Sequence, residues 1–171
     1  DEVCAVLKKN ALESEVVDNG MGIKGSFGAI NFPIPKTGQE VIWNNLLPTR
    51  AYTEAITRDM ANVLSDGSMS FGRMQNLNLD MVNKPEMLGK PVEGVMAYTR
   101  TRTLAPEREK GGVTHSVEPV NFGKDKRLAW NYDPGTRRVR QVPEYGFDQP
   151  MAGTGGKMTI DSDRRFNGSP E

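Results

Sequence analysis

The most regular alternation of apolar and polar positions lies at residues 125–143. Leu128, Trp130 and Tyr132 alternate with Ala129, Asn131 and Asp133. That period of two puts three large side chains on one face of a strand. Asp133-Pro134-Gly135-Thr136 supplies a turn, with Pro134 presetting φ at the first central position and Gly135 accepting a positive φ at the second. The return strand runs from Arg137 to Val142, and Pro143, which cannot donate to a ladder, ends it. A tryptophan and a tyrosine on one strand face predict much of the core area there.

Upstream, Val95–Leu104 and Val113–Phe122 alternate in the same way, so residues 95–142 read as a four-stranded antiparallel meander. Residues 50–64 fit helix or strand. The Asp66-Gly67 turn and the extended pattern from Ser68 to Val82 favour a long hairpin. The helical period appears twice. Over residues 1–17, Val3, Leu7 and Ala11 recur with Val6 beside them, Cys4 lies near this stripe as a small core residue, and Asn19-Gly20 is a stop. Thr37-Gly38-Gln39-Glu40 is a capping box that starts a helix at about Gly38. It carries Val41, Ile42, Trp43, Leu46 and Leu47 to Leu47, where Pro48 ends it. Pattern alone thus predicts an α+β domain, with residues 1–48 helix and loop, 50–142 antiparallel sheet and 143–171 a loop-rich tail.

Composition narrows the function classes. The mean hydropathy of −0.57 predicts a soluble chain. Acidic and basic residues balance at 22 each, so there is no global field to attract nucleic acid. The single cysteine rules out an intrachain disulfide and a cysteine zinc site, and the single histidine rules out a metal site of several histidines. The first residues lack the basic-then-apolar layout of a signal peptide, so the protein is either cytosolic or already stripped of its leader. Residues 97–142 carry ten basic against five acidic residues, with aromatics interleaved. A nucleic-acid surface, anionic lipid or an acidic partner could use that bias, but in a neutral chain a solvated outer sheet face explains it.

Candidate chemistry is sparse. Gly20-Met21-Gly22-Ile23-Lys24-Gly25 matches the dinucleotide fingerprint letter for letter. A helix rather than a strand precedes it and Pro33 and Pro35 follow, so it reads as a glycine loop. Residues 67–72 lack the spacing of a nucleophile elbow. His115 has no partner that spacing identifies, and reads as a polar strand residue. Asp161, Asp163 and Asn167-Gly168 do not fit a calcium loop, and Asn167-Gly168-Ser169, followed by Pro170, is a weak glycosylation acceptor. The expectation is no enzyme, no cofactor and no metal.

Two stretches resemble a known family. Asn31 to Leu47 resembles its P-F-P-I-P-K-x-G-x-E-x-x-W-N segment, and Ala129 to Arg140 its W-x-Y-x-P-G-x-R-R-V-R hairpin. Phe166 to Pro170 resembles a later segment. Asn31 departs from the family's proline, and Val142-Pro143 stands where a more basic stretch is usual. The family is a Gram-negative domain of unknown function, generally called outer membrane lipoprotein-sorting protein. It is similar in fold to the periplasmic lipoprotein carriers of the Lol system, curved half-barrels closed by helices over an apolar cavity. The resemblance implies a half-barrel-like sheet packed on one or two helices. Family members continue past the equivalent of Glu171, so residues 1–171 resemble a single, incomplete domain of that kind.

It further implies a periplasmic location, with possible association with the outer membrane, and a role in carrying lipid or another apolar ligand. An envelope exporter or outer-membrane protein is the implied partner, and nucleic acid is not. On this reading Trp43, Leu46 and Leu47 from the helix face Leu128, Trp130 and Tyr132 from the sheet across a ligand cavity. Two alternatives stand beside it: an interaction or structural protein using the basic sheet face, and a hydrolase using His115 with a nearby carboxylate.

Overall fold

A computed structural model describes residues 1–143, 145–151 and 156–163, with Asp163 described by its backbone only. Helix α1 (Glu2–Glu13) is capped by the Asp1 side chain. It ends earlier than the sequence predicts, because Ser14 is extended and β1 (Glu15–Val17) pairs antiparallel with β2 (Gly22–Lys24). The β-branched pair Val16-Val17 favours a strand over a further helical turn. The buried stripe also differs from the prediction. Val6 and Asn10 face inward, whereas Val3, Ala11 and Cys4 are exposed.

Helix α2 (Gly38–Leu46) carries the predicted capping box: Thr37 Oγ1 accepts from the Glu40 N–H, and the Glu40 carboxylate accepts from the Thr37 N–H. Six strands follow: β3 (Thr53–Val63), β4 (Met69–Asp80), β5 (Val95–Ala105), β6 (Val113–Pro119), β7 (Leu128–Asp133) and β8 (Arg138–Gln141). They form one antiparallel sheet in chain order, curved and open rather than a closed barrel. The ambiguous residues 50–64 are strand, paired with β4 along the whole of β3. A short helix, α3 (Ile160–Asp163), lies in the predicted tail.

The core lies at one end of the sheet. Ile23, Phe27 and Phe32 pack with Trp43, Leu46 and Leu47 of α2 against Val82, Val92, Met96 and Val120, where β4, β5 and β6 start or end. Side-chain amides tie the irregular segment in place. Asn10 and Ser26 exchange two hydrogen bonds of 2.9 and 3.1 Å, and Asn44 and Phe32 exchange two of 2.7 and 3.1 Å. Such pairing lets loop backbone be buried without stranded polar groups. Asn31, which departs from the family's proline, is itself buried and donates toward Ser14 and Ser26.

The β7–β8 hairpin exists, with a different turn. Asp133 pairs with Arg138, so Pro134 to Arg137 form the loop. The left-handed residue is Arg137, at φ 56°, and not Gly135. Asp133 Oδ1 accepts from the Gly135 and Thr136 N–H groups and holds the loop in that shape.

Candidate ligand cavity

Strand register sorts the sheet into two faces. On the inner face, Glu54, Asn78, Thr99, Ser116 and Ala129 line up across β3 to β7, and Ile56, Asn76, Thr101, Thr114 and Asn131 form the next row. These are small neutral polar groups for the most part. The outer face carries Leu77, Leu79, Tyr98, His115, Leu128, Trp130 and Tyr132.

A cavity of about 240 Å³ lies over the inner face. Asn76, Asn78, Thr99, Thr101, Thr114 and Ser116 make its floor. Met60, Met74 and Met96 wall it from the sheet, and Tyr145, Met151, Met158 and Ile160 line it from the segment after β8. That segment folds on itself as a cap: the Met151 N–H donates to the Met158 carbonyl at 2.9 Å, and the Ile160 N–H to the Gln149 carbonyl at 3.1 Å. Lys157 Nζ reaches the Val63 carbonyl at the far end of β3, 3.3 Å away. Burial pushes the Tyr145 phenol above its ordinary range, with the Glu118 charge adding to the effect and Arg127 opposing it.

The charges at the cavity are unequally matched. At the core end, Arg50 Nη2 donates to Asp80 Oδ1 at 2.8 Å, and Arg127 donates to Glu118 and lies over the Phe122 ring. Arg58 lines the cavity toward the other end without an ion pair or hydrogen bond to a described residue. Asn76 Nδ2 donates to Thr101 Oγ1 at 3.2 Å, while Asn76 Oδ1 is shielded from solvent and unpaired. Among the described residues no cluster of three His, Cys, Asp or Glu side chains could hold a metal ion. A second hollow beside Leu47, of about 10 Å³, has room for about one water.

The six residues predicted to share a ligand site are not brought together. Trp43, at 1% exposure, sits in the end core with Leu46 and Leu47, and its ring meets Phe122 at 6.4 Å rather than Trp130 or Tyr132. Leu128, Trp130 and Tyr132 lie on the outer face. The inward-facing residue beside them is Ala129, which is fully buried. None of the six lines the cavity over the inner face. The helix therefore packs at the end of the sheet and not across its concave side. The reason is geometric: period two separates two faces without saying which one is covered. Sequence reasoning missed the threonine and asparagine rows because they appear only once strands are paired in register. It also missed the methionines, which are scattered over β3, β4, β5 and the segment after β8.

His115 sits in the outer face, stacked between Tyr98 and Trp130 at centroid distances of 6.4 and 5.9 Å. Its Nδ1 is 3.1 Å from the Thr99 carbonyl oxygen. Four of the ten basic residues in 97–142 form ion pairs, Lys110 with Glu107, Arg108 with Glu109, Lys124 with Asp18 and Arg127 with Glu118, and only Asp18 comes from outside the segment. The glycine-rich stretch forms the β1–β2 turn and β2 itself, so no helix N-terminus follows it. Asn167-Gly168-Ser169 and the Phe166–Pro170 stretch lie outside the described residues.

The family model described as "Protein of unknown function (DUF1329)" matches residues 1–171. The chain belongs to the DUF1329 family. An uncharacterised Pseudomonas aeruginosa protein is 32% identical over 164 residues, which cover 96% of this chain and 36% of that protein. The DUF1329 chain thus spans about a third of the length of that relative. A Vibrio parahaemolyticus crystal structure, named as an outer membrane lipoprotein-sorting protein domain, is similar with a TM-score of 0.51 at 14% identity, over 72% of this chain and 46% of that one. At that identity the likeness is one of fold. A DUF1329 protein from Desulfovibrio piger is similar with a TM-score of 0.44 at 11% identity, over 67% of this chain and 41% of that one.

Proposed function

We propose that this chain is a non-enzymatic binding module that carries lipid or another amphipathic ligand at the cell envelope. The observation that carries the reading is the cavity between the sheet and its cap, with methionine walls and a neutral polar floor. Methionine side chains are flexible and polarizable, so they fit alkyl groups of variable shape. Small-molecule sites generally join apolar walls to polar groups that fix the ligand's orientation, and this cavity has both. The floor of Thr, Ser and Asn favours a ligand with polar groups of its own over a pure hydrocarbon. A periplasmic location, which the fold shared with the lipoprotein-sorting domain suggests, and an envelope exporter or outer-membrane protein as partner belong to the same proposal.

Native mass spectrometry of the protein purified from its own host tests the reading. The expected result is a lipid-sized adduct that is displaced by an added amphipath. Thr101→Phe, which fills the floor of the cavity, should remove the adduct while leaving the fold intact by circular dichroism. Protein free of adduct that also fails to take up any apolar probe would overturn it.

A further inference from the structure

We infer that Arg58 anchors the head group in this cavity, and that the ligand is a single-chain amphipath with an anionic head. The inference rests on the carrier reading and adds the ligand's charge and orientation. Two arginines line the cavity, and they differ in state. Arg50 is engaged by Asp80, whose carboxylate is buried. Arg58 has no anionic partner among the described residues, although it stands on the inner face between Ile56 and Met60 and opposite Met74. A guanidinium beside apolar walls is a ready partner for a carboxylate or phosphate, which it can hold through two parallel N–H bonds.

Charge also sets the direction. The core end of the cavity carries Asp80 and Glu118, each already matched by an arginine. Glu54, two rows from Arg58 on the same face of β3, accepts from Asn78 Nδ2. An anion at the core end would compete with carboxylates for paired cations, whereas at Arg58 it meets one with no anionic partner among the described residues. The alkyl chain then runs along the strands from Met74, which stands opposite Arg58, toward Met96, under Met151, Met158 and Ile160. The shielded, unpaired Asn76 Oδ1 lies along that path.

Size limits the ligand to one chain. At about 240 Å³ the cavity exceeds the roughly 150 Å³ hole that admits benzene, yet falls short of the roughly 300–1,000 Å³ of drug-sized pockets. A head and part of one alkyl chain fit that space, and two acyl chains do not.

Isothermal titration of the full chain with dodecanoate, dodecyl phosphate and dodecyltrimethylammonium, each below its micelle concentration at neutral pH, tests the assignment. The anionic probes should bind about tenfold or more tightly than the cationic one. Comparing dodecanoate with dodecyl phosphate tells which anion the site prefers. Arg58→Gln should erase most of the anionic preference and Arg58→Lys should keep part of it, with unchanged thermal melts showing that both variants fold. Equal binding of anionic and cationic probes, or a preference that survives Arg58→Gln, overturns the head-group assignment and leaves the carrier reading standing. If no probe binds, both fail.

Discussion

The indole N–H of Trp43 donates to the carbonyl oxygen of Gly20 across 2.9 Å, inside the core. This one bond ties the capped helix α2 to the β1–β2 turn, where Gly20 has a φ of 90°. The glycine stretch that resembles a nucleotide fingerprint is thus a structural turn that receives a tryptophan. That positive φ is what calls for glycine at position 20, beside the Gln39 side chain.

Trp43→Phe should therefore cost about 1–3 kcal/mol, because the Gly20 carbonyl is left buried without its donor. The chain has two tryptophans. Removing the buried one should also shift the fluorescence maximum to the red, leaving the half-exposed Trp130 to report. Urea unfolding followed by circular dichroism measures the first effect, and an unchanged midpoint would count against the bond's role.

The β7–β8 loop places an arginine where glycine is preferred. Arg137→Gly should stabilise the protein by up to about 1 kcal/mol, since the left-handed conformation costs an L-residue roughly 1–2 kcal/mol and glycine's greater unfolded-state freedom offsets part of the gain. Gly135→Ala should have a small effect, because a Cβ there meets only Asp133 Oδ1 at 3.2 Å. Differential scanning calorimetry of both variants decides which residue bears the turn. A larger loss from Gly135→Ala than gain from Arg137→Gly would reverse the assignment.

Buried and exposed ion pairs should behave differently. Glu118→Ala removes a buried ion-pair partner of Arg127, whose side chain is 3% exposed, and should lower the denaturation midpoint clearly. Asp59→Ala breaks the Arg73 pair on the open surface, where water screens both groups, and should leave the denaturation midpoint almost unchanged. Similar losses from both substitutions would contradict the burial argument.

Tyr145 gives the cavity a signature in alkali. Its phenol is held above the ordinary value first by burial and then by Glu118. In the unfolded chain the same phenol ionises near pH 10. The stability linked to keeping it neutral is thus complete below about pH 10, and is lost as pH rises through the raised folded value. An ultraviolet titration of phenolate absorbance should show a late phase that Tyr145→Phe removes. A bound amphipath should delay it further by deepening the burial.

The Gly20–Gly25 stretch should not bind a dinucleotide, because β2 rather than a helix N-terminus follows its turn. Titration with NAD or FAD should give no saturable signal. Gly22→Ala should destabilise the fold regardless, since a Cβ there would overlap the Asn121 side chain at 2.4 Å. Micromolar NAD binding lost in that variant would show the stretch to be a nucleotide site after all.

What the sequence by itself determined is local. The Thr37–Glu40 capping box, the stop at Pro48, the Asp66-Gly67 turn and the period-two runs of the meander each depend on residues a few positions apart. All of them reappear as α2, the β3–β4 hairpin and β5 to β8. Which sheet face is inward was decided only by the tertiary structure. Leu128, Trp130 and Tyr132 have the composition of a core face, yet Leu128 remains 39% exposed while Ala129 beside it is fully buried. Alternation makes two faces different, but burial depends on which one another segment covers. Here the cap covers the side of small polar residues, and α2 carries Trp43 to the end of the sheet. The cavity, and Arg58 at its edge, arise from strand pairing and a covering segment that no local pattern encodes.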